Sequence, residues 1–243
     1  MTVQQYFHLN SKGIALGTVL FLCSFSLVSA GDGGLQRFYQ NAKVGYKDAA
    51  GNVVVPAKYY AGSEFIEGYA IVVDNNKRGF VNEKGEVAIA LQYEDAGPFV
   101  NGIAKVMLNK KYGYINTAGK WLVEPKYDFA EDFAEGYAVV KLNGKYGFIN
   151  AGCVEAIAPA FDKARRFSHG LAPVKNGSAW GYIDIKGNWV IQPKYQEALV
   201  FSSTGVARVT INGELYLIDT KGNIQQKLES KHEEEEFKEK REH

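Results

Sequence analysis

Glycine recurs along this chain with a fixed stride. Gly45, Gly79, Gly113, Gly147 and Gly181 stand 34 residues apart. A second column, Gly34, Gly68, Gly102, Gly136, Gly170 and Gly205, keeps that stride until Ser202-Ser203-Thr204 adds one residue. A third, Gly51, Gly85, Gly119, Gly187 and Gly222, is broken at Cys153, beside Gly152. A period of this length marks one supersecondary unit written many times. Each copy is too small to bury a core alone, so neighbours must share one. The stride therefore excludes an ordinary single-core globule.

Each unit reads as strands. Tyr137 to Leu142 is rich in β-formers and ends at Asn143-Gly144, a strong hairpin signal. Tyr146 to Ile149 returns as the second strand. A four-residue turn follows, written Asp48-Ala-Ala-Gly51, Asn116-Thr-Ala-Gly119 or Asp184-Ile-Lys-Gly187, with Asx first to cap and Gly last to take positive φ. A third strand runs through Trp121-Leu-Val or Trp189-Val-Ile and is expected to stop near proline. The fold class is all-β: a tandem array of six three-stranded antiparallel meanders of about 34 residues, at 35–57, 69–91, 103–125, 137–159, 171–193 and 206–228. An open or superhelical stack is favoured, with a closed β-propeller as the alternative, because propeller blades usually have four strands and longer repeats.

Connections of about eleven residues join the meanders and carry their own columns. Phe65, Phe99, Phe133, Phe167 and Phe201 form one; Tyr59, Tyr93, Tyr127, Phe161 and Tyr195 form another. Both read as plugs between adjacent units, with Gly62, Ala96, Ala130, Ala164 and Ala198 as points of close approach. The strand glycines Gly45, Gly79, Gly113, Gly147 and Gly181 are expected to let another backbone or ring come near. Three departures carry expectations. Tyr216 replaces the strand glycine in the last unit, so its terminal face needs no close neighbour. Cys153 replaces a turn glycine, which predicts a turn rebuilt around Gly152. Pro173 within a strand predicts a position without a ladder bond, or an edge.

Trp180-Gly181-Tyr182-Ile183-Asp184, then Gly187, Trp189-Val190-Ile191 and Pro193, resembles the WG repeat, a tandem β-rich repeat found largely in bacterial proteins. Tyr112-Gly113 and Tyr146-Gly147 look like variants of it, whereas Val44 and Arg78 depart from the aromatic. The resemblance covers 34–228 and implies a β-repeat domain; it brings no catalytic motif.

The flanks differ. Residues 1–30 read as a signal peptide: Lys12, an apolar run from Gly13 to Val28, and small residues ending at Ala30. That predicts export to the periplasm or medium, with no membrane contact after cleavage; an uncleaved anchor is the alternative. Residues 229–243 read as a charged tail, frayed helix or disordered.

Chemistry is sparse. The formal net charge of +1 argues against a nucleic-acid partner. No cofactor motif or zinc-ligand spacing is present, and none is expected. His169 lies beside Ser168, but adjacent residues rarely form a nucleophile–base pair. Carboxylates gather near the loops at Glu94, Asp95, Asp128, Glu131, Asp132, Glu135 and Asp162, a pattern that reads first as solvated loop. Lys58, Lys126 and Lys194 precede the tyrosine column, and with Trp121 and Trp189 offer a candidate ligand surface. The bland alternative is that lysine stems cover the rings. The expected function is a non-enzymatic, exported protein-binding or scaffold module. The alternatives are a glycan or cell-wall binder using exposed aromatics and, below it, a hydrolase using Asp128, Glu131 and Asp132.

Overall fold

The computed structural model describes residues 34–228; the predicted signal peptide and charged tail lie outside them. The meander appears in all six units. The first sheet is Gln36–Gln40, Lys43–Lys47 and Val53–Tyr59, in that order. The second is Ala61–Gly62, Tyr69–Asp74, Lys77–Asn82 and Val87–Tyr93. The third is Asp95–Ala96, Ile103–Leu108, Lys111–Asn116 and Trp121–Tyr127. The fourth is Phe129–Ala130, Tyr137–Leu142, Lys145–Asn150 and Glu155–Phe161. The fifth is Lys163–Ala164, Leu171–Asn176, Ala179–Asp184 and Trp189–Tyr195. The sixth is Glu197–Ala198, Ala207–Ile211, Glu214–Ile218 and Ile224–Leu228. From the second sheet on, the connection thus supplies a fourth strand, two residues long. It holds the small column, whose modest side chains let the connection lie against the meander: a Cβ on Gly62 would strike the Tyr46 ring end.

The third strands do not stop at proline. They run on to the tyrosine column, because each of the first five bulges opposite its strand glycine. Tyr112 pairs with Tyr127 and Tyr114 with Val123, so Glu124 to Lys126 stand opposite Gly113 alone. The bulge presses the third strand onto that glycine. A Cβ on Gly113 would lie 2.5 Å from the Val123 carbonyl oxygen, and one on Gly147 would lie 2.5 Å from that of Ile157. Close approach is therefore within one sheet, between backbones. Pro125, Pro159 and Pro193 sit in the bulge, where a missing N–H costs no ladder bond. The sixth sheet differs. Tyr216 pairs with Lys227 and the bulge at that register is gone, leaving only the shift between Leu217 and Ile218. The last glycine is dispensable for that reason, and not because of what faces the sheet's outer side.

Turn chemistry is local and regular. Gly51 N–H donates to the Asp48 carbonyl at 3.0 Å, and Asn52 N–H to Asp48 Oδ1 at 2.8 Å. The fourth sheet keeps this turn, contrary to the rebuilding predicted around Gly152. Cys153 itself adopts φ 58° and donates to the Asn150 carbonyl at 2.8 Å. Its side chain packs on the cluster holding Val123 and Tyr114. Among the equivalent glycines, Gly119, Gly187 and Gly222 lie against Ile89, Ile157 and Ile191, and Gly85 against Val54. The Cys153 side chain packs on that cluster, and this packing is set against the strain of positive φ. Pro173 occupies a register whose equivalent, Ile71, gives its N–H to the Ser63 hydroxyl rather than to the ladder.

Five apolar cores lie between successive sheets, and among the described residues none joins the sixth sheet to the first. The stack is open. Its junctions alternate. Between sheets one and two, three and four, and five and six, Tyr46, Tyr114 and Tyr182 meet Phe65, Phe133 and Phe201 with ring centres 5.0, 5.3 and 5.0 Å apart. Each tyrosine hydroxyl donates to a connector carbonyl, of Ser63, Glu131 or Leu199, at 2.8, 2.8 and 2.7 Å. Burial pushes these phenols up, Tyr46 to about 12. Between sheets two and three, and four and five, phenylalanine takes that place. Phe80 and Phe148 lie 4.8 Å from Phe99 and Phe167, and Tyr69 and Tyr137 add a second ring at 4.9 Å. At these junctions Glu67 accepts from the Asn101 and Gly102 N–H groups at 2.7 and 2.8 Å, and Glu135 from those of His169 and Gly170 at 2.8 and 2.9 Å.

Candidate functional site

The connectors turn at a register where the repeat loses its consensus. The residues following the small column are Ser63, Gly97, Glu131, Arg165 and Leu199, then Glu64, Pro98, Asp132, Arg166 and Val200. Two successive connectors, with Lys105 of the third sheet and Val200, enclose a cleft of about 440 Å³.

Its backbone is pinned. Glu131 N–H donates to the Val139 carbonyl at 2.9 Å, and the Glu131 carbonyl accepts from Tyr114 at 2.8 Å. Arg165 N–H donates to the Pro173 carbonyl at 3.0 Å. The side chains are held unequally. Lys105 Nζ lies 3.5 Å from Asp132 Oδ1, an ion pair that leaves this buried oxygen without a hydrogen bond. The Arg165 guanidinium stacks over Trp180 at 5.0 Å and pairs with Glu197 through Nη2, while its buried Nε has no partner. The carboxylate of Glu131 and the guanidinium of Arg166 enter no hydrogen bond or ion pair with the described residues. Burial raises the Glu131 carboxyl above its ordinary value, against the pull of Lys105 and Arg166. Among the described residues, no three His, Cys, Asp or Glu side chains gather as a metal site.

The residues singled out from sequence lie elsewhere. Trp121 and Trp189 are half-buried at the second kind of junction, edge-on to Tyr93 and Phe161 at 6.0 and 5.9 Å. Lys126 and Lys194 are exposed, with ammonium groups 4.9 and 5.2 Å above the Tyr127 and Tyr195 rings. These four residues do not converge on one pocket; the lysines roof buried tyrosines. The carboxylate column is likewise occupied. Glu94 accepts from Asn109 and Lys110 N–H at 3.2 and 2.9 Å, and Asp162 from Gly177 N–H at 2.7 Å. Asp128 pairs with Lys111, and Asp162 with Lys145, each bridging to the preceding sheet. These pairs hold the Asp128 and Asp162 carboxyls below their ordinary range. Asp128, Glu131 and Asp132 thus split between a hairpin cap and the cleft. Ser168 Oγ does approach His169 Nδ1, at 3.2 Å, but its hydroxyl donates to the Phe201 carbonyl at 2.8 Å. Sequence reading missed Arg165 and Arg166. The signal that marks them is negative: two adjacent cations where every other unit has something else.

A family model described as "WG containing repeat" matches residues 45–77, 79–112, 112–146, 146–178 and 180–214. The chain belongs to the WG-repeat family. No curated protein matches it. Among solved structures, one titled as the eukaryotic initiation factor is similar over 81% of this chain and 63% of its own, with 10% identity and TM-score 0.51. Kluyveromyces lactis Hsv2p is 9% identical over 76% of this chain and 71% of its own, with TM-score 0.46. Apo AztD from Citrobacter koseri is 14% identical over 82% and 73%, with TM-score 0.40. At 10% identity the first of these is a likeness of fold alone.

Proposed function

We propose that this WG-repeat chain is a non-enzymatic binding module, exported after cleavage of residues 1–30, that engages another protein. The observation that supports it is the use of the loop carboxylates. Glu94, Asp128, Asp162 and Glu135 serve as hairpin caps and inter-sheet ties rather than as paired acids over a substrate. What the array offers instead is an extended surface. The outer strands carry a row of exposed or half-exposed apolar residues, Val54, Ala88, Leu122, Ala156 and Val190. Repeat stacks bind through such surfaces. The glycan alternative is weaker, because sugar platforms need exposed ring faces and Trp121 and Trp189 are half-buried against other rings.

The test has two parts. Fractionation with N-terminal sequencing should find the chain outside the cytoplasm beginning after Ala30. A partner recovered from that compartment and purified should bind saturably, and Leu122→Asp with Val190→Asp should weaken it. A glycan array showing saturable binding lost on Trp121→Ala or Trp189→Ala would replace the protein partner with a sugar.

A further inference from the structure

The cleft between connectors holds two opposite charges that form no ion pair, although Lys105, Arg166 and Arg165 all attract the Glu131 carboxylate. Glu131 and Arg166 come from successive connectors, line the same cavity, and form no ion pair with each other or with the described residues. A third group, the buried Arg165 Nε, has a donor and no acceptor. Stacking on Trp180 and pairing with Glu197 fix the rest of that guanidinium, so the idle Nε is held in place.

We propose that this cleft binds a small zwitterion, a free amino acid or short peptide, with its carboxylate on Arg166, beside Arg165, and its ammonium on Glu131. The charge pattern selects this chemistry. A simple anion would meet the unpaired Glu131 carboxylate; a simple cation would meet two guanidiniums. A molecule carrying both charges answers both, and guanidinium is well suited to a carboxylate through planar, directed hydrogen bonds. Phe133, Ala134 and Val200 supply an apolar wall for a side chain. The volume of about 440 Å³ lies within the range of small-ligand sites. An ammonium in the cleft would also hold Glu131 in its charged form, which burial alone disfavours. The site is separate from the outer strands and does not depend on a protein partner.

Isothermal titration of the full chain tests this with three probes: L-alanine, L-alanyl-L-alanine, and N-acetyl-L-alanyl-L-alanine amide, which carries neither charge. One or both zwitterions should bind, and the blocked peptide should not; which one binds separates an amino-acid site from a peptide site. Arg166→Ala and Glu131→Gln should each weaken binding about tenfold or more. Arg166 is exposed, so its variant should melt like the parent. No binding of either zwitterion up to about 10 mM would overturn the proposal, as would equal binding of the blocked peptide or unchanged affinity in both variants.

Discussion

The first five sheets and the sixth solve the same problem differently. In the five, the third strand carries extra residues opposite a glycine and bulges onto it. In the sixth, Leu215 pairs with Leu228, whereas Trp180 in the fifth pairs with Tyr195 across a longer segment. The shorter strand needs no bulge at that register, and Tyr216 fits where glycine stood. Glycine here is a response to backbone crowding inside one sheet. A sheet that relieves the crowding loses the requirement.

The strongest way to break that comparison is to put a side chain into the bulge. Gly113→Val should destabilise the fold by about 3 kcal/mol or more, since backbone atoms have little room to retreat. Tyr216→Val, at the same register in the sixth sheet, should cost about 1 kcal/mol or less. Thermal melts of the two variants decide it; equal losses would refute the bulge as the cause. A smaller effect separates the two kinds of junction. Glu135→Ala leaves two N–H groups of the fifth sheet to water and should cost about 1 kcal/mol in denaturant unfolding. Tyr114→Phe, at the other kind of junction, removes one hydroxyl bond and should cost about as much. Cys153→Gly should be nearly neutral, within about 0.5 kcal/mol, because relief of positive φ offsets lost packing. Adding Val123→Ile should then stabilise the glycine variant and destabilise the cysteine parent, a difference read by a double-mutant cycle.

Acid probes what the two kinds of sheet share. Asp48 in the first sheet and Asp219 in the sixth accept from Asn52 and Asn223, which hold both carboxyls below their ordinary 3.8. A depressed folded-state value stabilises the protein above the unfolded value, and the contribution fades as pH falls through the folded one. Stability should therefore be level above the ordinary carboxylate range and decline below it. Asp48→Asn and Asp219→Asn should flatten that decline by similar small amounts in melts across acid pH.

What was legible in the sequence is what repeats locally. Asx-x-x-Gly turns, the strand glycine and the connector phenylalanines each recur at one spacing, so alignment of the units finds them. The bulge was not legible, because register is set between strands and no residue type announces it. The fourth strand, two residues long, is too short to show a pattern. Cys153 reads as a broken turn because the cluster it packs on, with Tyr114 and Val123, lies in the preceding unit. The cleft was hidden for a different reason. Ser63, Gly97, Glu131, Arg165 and Leu199 share a register and nothing else, so a search for agreement between units passes over them.

The alternating junctions give the array a parity. Tyr46, Tyr114 and Tyr182 belong to odd sheets, Phe80 and Phe148 to even ones, and Tyr69 and Tyr137, Glu67 and Glu135, Trp121 and Trp189 recur at twice the glycine stride. The repeating structural module is thus a pair of sheets. Duplicating or deleting a pair leaves every junction matched, whereas an odd number of units sets like against like. Lengths reached by such changes should move in steps of two.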